Sequence, residues 1–152
     1  MLSAKQSATI ALSGLMISII LHLLTVLQIF HITYTPAMVL TAGMLIMWLQ
    51  SSKFLKAGYQ LQPGLNPWKN IFAQLHPLSK YFIYFLFIYA LINFVYTMSF
   101  EAEKGFIETS LSPVKLRGLS GFWLAFYGMG WAFARGYDKM SGRNNSPGGN
   151  HE

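Results

Sequence analysis

Hydrophobic positions along the chain gather into four long blocks separated by shorter polar stretches. The first, residues 9–30, runs for 22 positions without a formal charge. At about 1.5 Å of rise per residue, a helix of that length crosses the roughly 30 Å hydrocarbon core of a bilayer. The second block opens on Thr35-Pro36 and continues to residue 54. Threonine is a good N-cap, and proline is tolerated at the first helical position, where the amide has no partner to lose. The third lies within residues 80–100, has 20 consecutive uncharged positions from Tyr81, and is dense in aromatic side chains. The fourth, residues 119–135, is shorter and holds Gly121, Gly128 and Gly130. This pattern predicts an all-α polytopic membrane protein: four transmembrane helices in one domain spanning residues 1–140.

Two blocks admit a second reading. Lys5 ahead of an apolar run also suits a signal peptide, but the run is long for one and no small-x-small cleavage site follows, which favours a retained helix. The fourth block is short enough to be re-entrant.

The connections carry their own patterns. The first two helices are joined so briefly that they should form an antiparallel hairpin. Between the second and third, Asn66-Pro67 repeats the cap-then-proline start. Trp68, Ile71, Phe72 and Leu75 then recur on one helical face. A short amphipathic helix over residues 67–76 is expected in the cytoplasmic interface, with Trp68 at headgroup depth. Residues 101–118 read as an outer loop, with room for a short helix before Pro113. Residues 141–152 are too poor in apolar side chains to build a core and should be disordered. No internal repeat of the kind that marks an inverted-repeat transporter is visible.

Charge orients the bundle. The composition is 53% hydrophobic and 11% charged, whereas soluble domains run nearer a quarter charged, so lipid must cover much of the surface. The formal net charge of +6 sits beside the apolar blocks. That distribution fits contact with anionic lipid, and no aromatic–basic motif suggests nucleic acid. With both termini inside, eight Lys and Arg fall on the cytoplasmic side and three outside, so both termini are expected to be cytoplasmic. Arg135 would close the last helix at the inner interface and snorkel to lipid phosphate. The chain has no cysteine, which removes disulfides, thiolate metal sites and cysteine nucleophiles.

Candidate chemistry is confined to polar residues at membrane depth, where an ionisable group is costly enough to need a reason. His22 sits near the middle of the first helix, and Asn93 at similar depth in the third. Tyr89, Asn93 and Tyr96 share a face at spacings of four and three. A cluster of His22, Tyr89, Asn93 and Tyr96 is therefore expected in the interior, either as hydrogen-bonding glue between helices or as a ligand or proton site. Haem ligation lacks a second histidine at matching depth: His31, His76 and His151 lie in connections or the tail. The methionines do not repeat on one face as a copper site requires, so neither cofactor nor metal is expected. No Asp or Glu falls inside any predicted helix, which argues against an intramembrane enzyme. In the fourth helix, Gly121 and Ala125, then Gly128 and Ala132, are small residues four apart. They allow close approach of a helix of the same chain or of a second copy.

Two stretches carry a resemblance. Leu116-Arg117-Gly118-Leu119-Ser120-Gly121-Phe122-Trp123 with Phe126-Tyr127, and Tyr89-Ala90-Leu91-Ile92-Asn93-Phe94, resemble motifs of an uncharacterised family of small bacterial four-helix integral membrane proteins. In that family the residue before the tryptophan is often histidine; here it is Phe122. The resemblance implies a bacterial inner membrane and draws attention to Asn93 and residues 117–127, but it implies no activity. The leading functional expectation is a non-catalytic membrane protein, an accessory or structural subunit of an inner-membrane assembly; beside the lipid bilayer, the partners expected are a membrane protein or, on the transporter reading, further copies in a homo-oligomer. A small oligomeric transporter or channel component with a His22/Asn93 polar site is the alternative, and a lipid-modifying enzyme the third.

Overall fold

The computed structural model describes residues 2–27, 34–101 and 113–144. Five helices make up 91% of them and no strand occurs among them. Helix α1 is Ala4–Val26, α2 Tyr34–Leu61, α3 Pro67–Ala73, α4 Pro77–Glu101 and α5 Pro113–Asn144. Three stretches are long and apolar enough to cross a membrane: Ala4–Val26, Thr35–Leu61 and Pro77–Ser99.

Each helix outruns or shifts from the block that predicts it, because helices end at caps and hydrophobic blocks end at the edge of lipid. In α1, Ser3 and Gln6 form a reciprocal capping box (Gln6 N to Ser3 Oγ 3.2 Å, Ser3 N to Gln6 Oε1 2.9 Å). That cap starts the helix at Ala4 instead of residue 9, and it ends at Val26 instead of residue 30. Helix α2 continues past residue 54 to Leu61, shortly before Gly64, whose φ of 86° suits glycine alone. Asn66 caps α3 by accepting from Trp68 N at 3.1 Å and Lys69 N at 3.4 Å. The helix closes at Ala73 instead of residue 76, because Gln74 N and Leu75 N turn back to carbonyls three residues earlier. His76 then opens α4: its Nδ1 accepts from Leu78 N at 3.4 Å and its carbonyl from Ser79 N at 2.9 Å.

The largest departure is α5. The expected helix over 119–135 is instead 32 residues long, and six residues assigned to the outer loop, 113–118, form its first turns. It also runs nine residues past Arg135, so that exposed residue lies within the helix and does not close it. Residues 141–144 of the expected disordered tail are helical, and Asp138 is a helical acid, as is Glu101 at the end of α4. His31, Lys104, residues 145–152 and the helix expected before Pro113 lie outside the described residues.

Burial explains why α5 looks weak in sequence. No described side chain from Val114 to Ala134 is exposed. Helices α1, α2 and α4 all pack on α5, antiparallel for α1 and α4 and parallel for α2, while α1 and α2 touch each other far less than either touches α5. The expected α1–α2 hairpin is thus organised around α5, which is the centre of the bundle. A central helix meets other helices and little lipid, so small residues serve it better than large apolar ones. The outward faces of the other three, such as Ile17, Ile20, Leu49, Phe85 and Ile92, are apolar and exposed.

Glycines set these approaches. The Tyr127 ring from α5 fills a slot between Gly14 of α1 and Gly43 of α2, and its hydroxyl donates to the Leu40 carbonyl at 3.0 Å. Trp123, fully buried, donates from Nε1 to Thr41 Oγ1 at 3.1 Å. Gly136 abuts the Ile71 backbone, which seats α3 against the end of α5. Helix α3 accordingly turns its apolar face inward: Ile71 and Leu75 are buried, and Trp68 and Phe72 pack edge-on against Phe133 at 4.6 and 5.5 Å. The short helix expected in the interface is thus docked on the end of the bundle, and Trp68 keeps half its surface exposed.

Candidate functional site

One face of α1 is built from Ser7, Ala11, Gly14, Ser18, His22 and Thr25, all buried. Their spacings of three and four keep them on one stripe. Small residues along it bring α1 close to α5, and His22 is the one large polar side chain there. Its imidazole therefore projects into the junction of α1, α4 and α5.

Two hydrogen bonds fix the ring. His22 Nδ1 lies 2.7 Å from Ser120 Oγ on α5, and Nε2 lies 2.7 Å from the Tyr89 hydroxyl on α4. The Tyr89 ring meets the imidazole edge-on at a centroid distance of 5.3 Å. Ser120 donates its single proton to the Arg117 carbonyl at 3.1 Å. It must then accept from His22 Nδ1–H, which leaves Nε2 of the neutral ring to accept the Tyr89 proton. The chain of donors runs Tyr89 to His22 to Ser120 to the Arg117 carbonyl, and it links all three helices.

A second group adjoins the first. Asn93 donates from Nδ2 to the Tyr89 carbonyl at 2.9 Å and accepts from Arg117 Nε at 2.8 Å. The Arg117 guanidinium lies over the Tyr96 ring, 4.6 Å from its centroid, in cation–π geometry. Thr97 donates to the Asn93 carbonyl at 2.8 Å and also approaches the Val114 carbonyl at 3.2 Å. A Cβ on Gly118 would fall 2.5 Å from Thr97 Oγ1, so α4 and α5 meet there almost backbone to backbone.

The four residues singled out in the sequence thus come together, but not as a direct His22–Asn93 pair. Tyr89 bonds His22 through its hydroxyl and Asn93 through its carbonyl. Tyr96 joins through Arg117. Arg117 and Ser120 organise the junction; hydropathy assigns Arg117 to a loop and gives Ser120 no polar role, and only the resemblance over residues 117–127 draws attention to them. A second signal is the spacing: Arg117, Ser120 and Gly121 share one helical face once the helix is started at Pro113.

The small-residue stripe of α5 is also occupied. Gly121 faces Ala90 and Asn93 of α4 across no more than an ordinary contact: a Cβ there would lie 3.5 Å from the Ala90 Cα. At Gly128 it would fall 2.8 Å from Leu86 Cδ1. Ala125 and Ala132 are buried along the same helix. Gly121, Gly128 and Ala132 accommodate α4 of the same chain. Among the described residues no group of three His, Asp or Glu side chains is placed to hold a metal ion.

Comparison with protein-family models, curated proteins and solved structures finds no significant match to this chain.

Proposed function

We propose that this chain is a four-span, non-catalytic protein of a bacterial inner membrane that serves as an accessory or structural subunit. The observation that carries the reading is the closed character of its polar junction. The hydrogen bonds of His22, Tyr89, Asn93, Ser120 and Arg117 Nε run to one another and to the backbone. The three that cross between helices, His22 to Ser120, Tyr89 to His22 and Arg117 to Asn93, hold α1, α4 and α5 together at about 0.6–2 kcal/mol each inside a membrane. The bundle then presents a rigid outer surface, on which Tyr81, Tyr84, Phe85 and Ile88 of α4 form an exposed, aromatic-rich face suited to another membrane helix.

Helix α5 is taken as the fourth span because its 32 residues extend about 48 Å and lie along the three apolar helices. The charge asymmetry supports a cytoplasmic position for both termini. Because the chain has no cysteine, single-cysteine variants report sidedness cleanly. Ser3→Cys and Gly142→Cys should both react with an impermeant maleimide only after the cytoplasmic face is opened; a Cβ at Gly142 meets nothing within 4 Å. Labelling of the two from opposite sides would mean three spans and overturn the topology.

Copurification tests the subunit reading. After mild solubilisation of native membranes, with a photo-crosslinking amino acid at Phe85, the chain should be recovered bound to a larger membrane protein. Recovery only as a homo-oligomer would reject the accessory role and favour a small transporter assembled from several copies.

A further inference from the structure

Helices α1 and α4 both lean on α5 and make little contact with each other, and at the end of the bundle that carries Lys5 and Arg135 a cleft runs between α1 and α5 and opens toward α4. The mouth is a cavity of about 400 Å³ lined by Lys5, Thr9, Leu12, Trp131 and Arg135. Leu12 and Trp131 also line an adjoining cavity of about 270 Å³ that reaches Phe82 of α4. Two cations therefore stand at the outer end of a continuous trough whose inner part is apolar. Both are exposed, and neither forms an ion pair among the described residues. Trp131 stands at the boundary between the two parts, where an indole favours the headgroup level of a bilayer.

We propose that this cleft is a binding site for one anionic phospholipid. The order of chemistry in the trough matches that of the lipid: Lys5 and Arg135 face the phosphate and the net negative headgroup, and the Leu12–Phe82 wall takes the start of an acyl chain. A free phosphate would use the mouth alone. A zwitterionic lipid would bring its own cation to two that are already there. The inference rests on the reading that the chain spans a membrane, and it adds a defined site to it. The expected occupant is a lipid such as phosphatidylglycerol, held in place while the other apolar faces exchange lipid freely.

Native mass spectrometry of the delipidated full chain in mild detergent tests this, with phosphatidylglycerol, phosphatidylcholine and inorganic phosphate as probes. Wild type should take up one phosphatidylglycerol saturably and ahead of phosphatidylcholine. Lys5→Gln with Arg135→Gln should weaken that binding about tenfold, since each basic residue near an anionic headgroup contributes several-fold. Lys5→Arg with Arg135→Lys should retain it. Neutralising two exposed lysines elsewhere, Lys53→Gln with Lys56→Gln, should leave it unchanged. Filling the trough by Leu12→Trp should weaken it with no change of charge, which keeps the test decisive if the doubly neutralised variant does not fold. Equal binding of phosphatidylcholine, equal loss in both neutralised pairs, or full displacement by inorganic phosphate would overturn the proposal. Retention of the chain in carbonate-washed membranes reads the membrane assignment separately, so failure of one is distinguishable from failure of the other.

Discussion

Gly14→Val is expected to destabilise the bundle by about 3 kcal/mol, the upper end of what an overpacked interior costs. A Cβ at Gly14 would overlap the Tyr127 ring, falling 2.5 Å from Cδ1 and 2.7 Å from Cζ. The ring cannot swing aside cheaply. It is 4% exposed, its hydroxyl is tied to the Leu40 carbonyl, and on its far side Gly43 leaves room only for that hydroxyl. Valine at position 14 must therefore push α1 away from α5 along the contact that holds them. Reversible unfolding in mixed micelles measures the loss. Tyr127→Ala introduced with Gly14→Val should recover part of it, because the two changes act on one contact and cannot be additive. Wild-type stability for Gly14→Val alone would show that the slot is looser than its geometry.

The second large effect is expected at Asn93. Asn93→Leu keeps the volume and removes both the acceptor for Arg117 Nε and the donor to the Tyr89 carbonyl. A half-buried guanidinium then loses its amide partner, and leaving a charged donor unsatisfied costs more than a neutral hydrogen bond contributes. A loss of about 2–3 kcal/mol is expected in the same unfolding assay. Asn93→Leu combined with Arg117→Met should recover most of it, since removing both partners leaves no orphan. If the double variant is as unstable as the sum of the singles, the pair is not coupled and the network carries less than its distances indicate.

Much of the architecture is legible in residue order. The uncharged blocks mark α1, α2 and α4, the Asn66-Pro67 pair marks α3, and the spacing of Tyr89, Asn93 and Tyr96 marks one face of α4. Less legible is anything that depends on what a helix touches. A hydropathy pattern asks whether a segment suits lipid, and α5 does not need to. Its glycines, Ser120 and Arg117 are explained by the three helices around it, so the pattern shortens it at both ends. The amphipathic face of α3 shows the same limit. Periodicity identifies Trp68, Ile71, Phe72 and Leu75 as one apolar face, yet lipid and the end of a bundle accept such a face equally well. The contacts with α5 distinguish the two: Gly136 abuts the Ile71 backbone, and Phe133 meets the rings of Trp68 and Phe72.

By itself, then, the sequence determined the helical class, the three strongly apolar helices and the identity of the polar residues that could not be left unpaired among them. Tertiary structure alone decided that the fourth apolar block is the centre of the bundle, and that His22 and Asn93 are joined through Tyr89, Ser120 and Arg117. The reason is physical. Transfer to an apolar medium is a property of each segment and can be summed along the chain. Hydrogen-bond partners and close helix approaches are properties of pairs, and those pairs exist only once α1, α4 and α5 have been brought together.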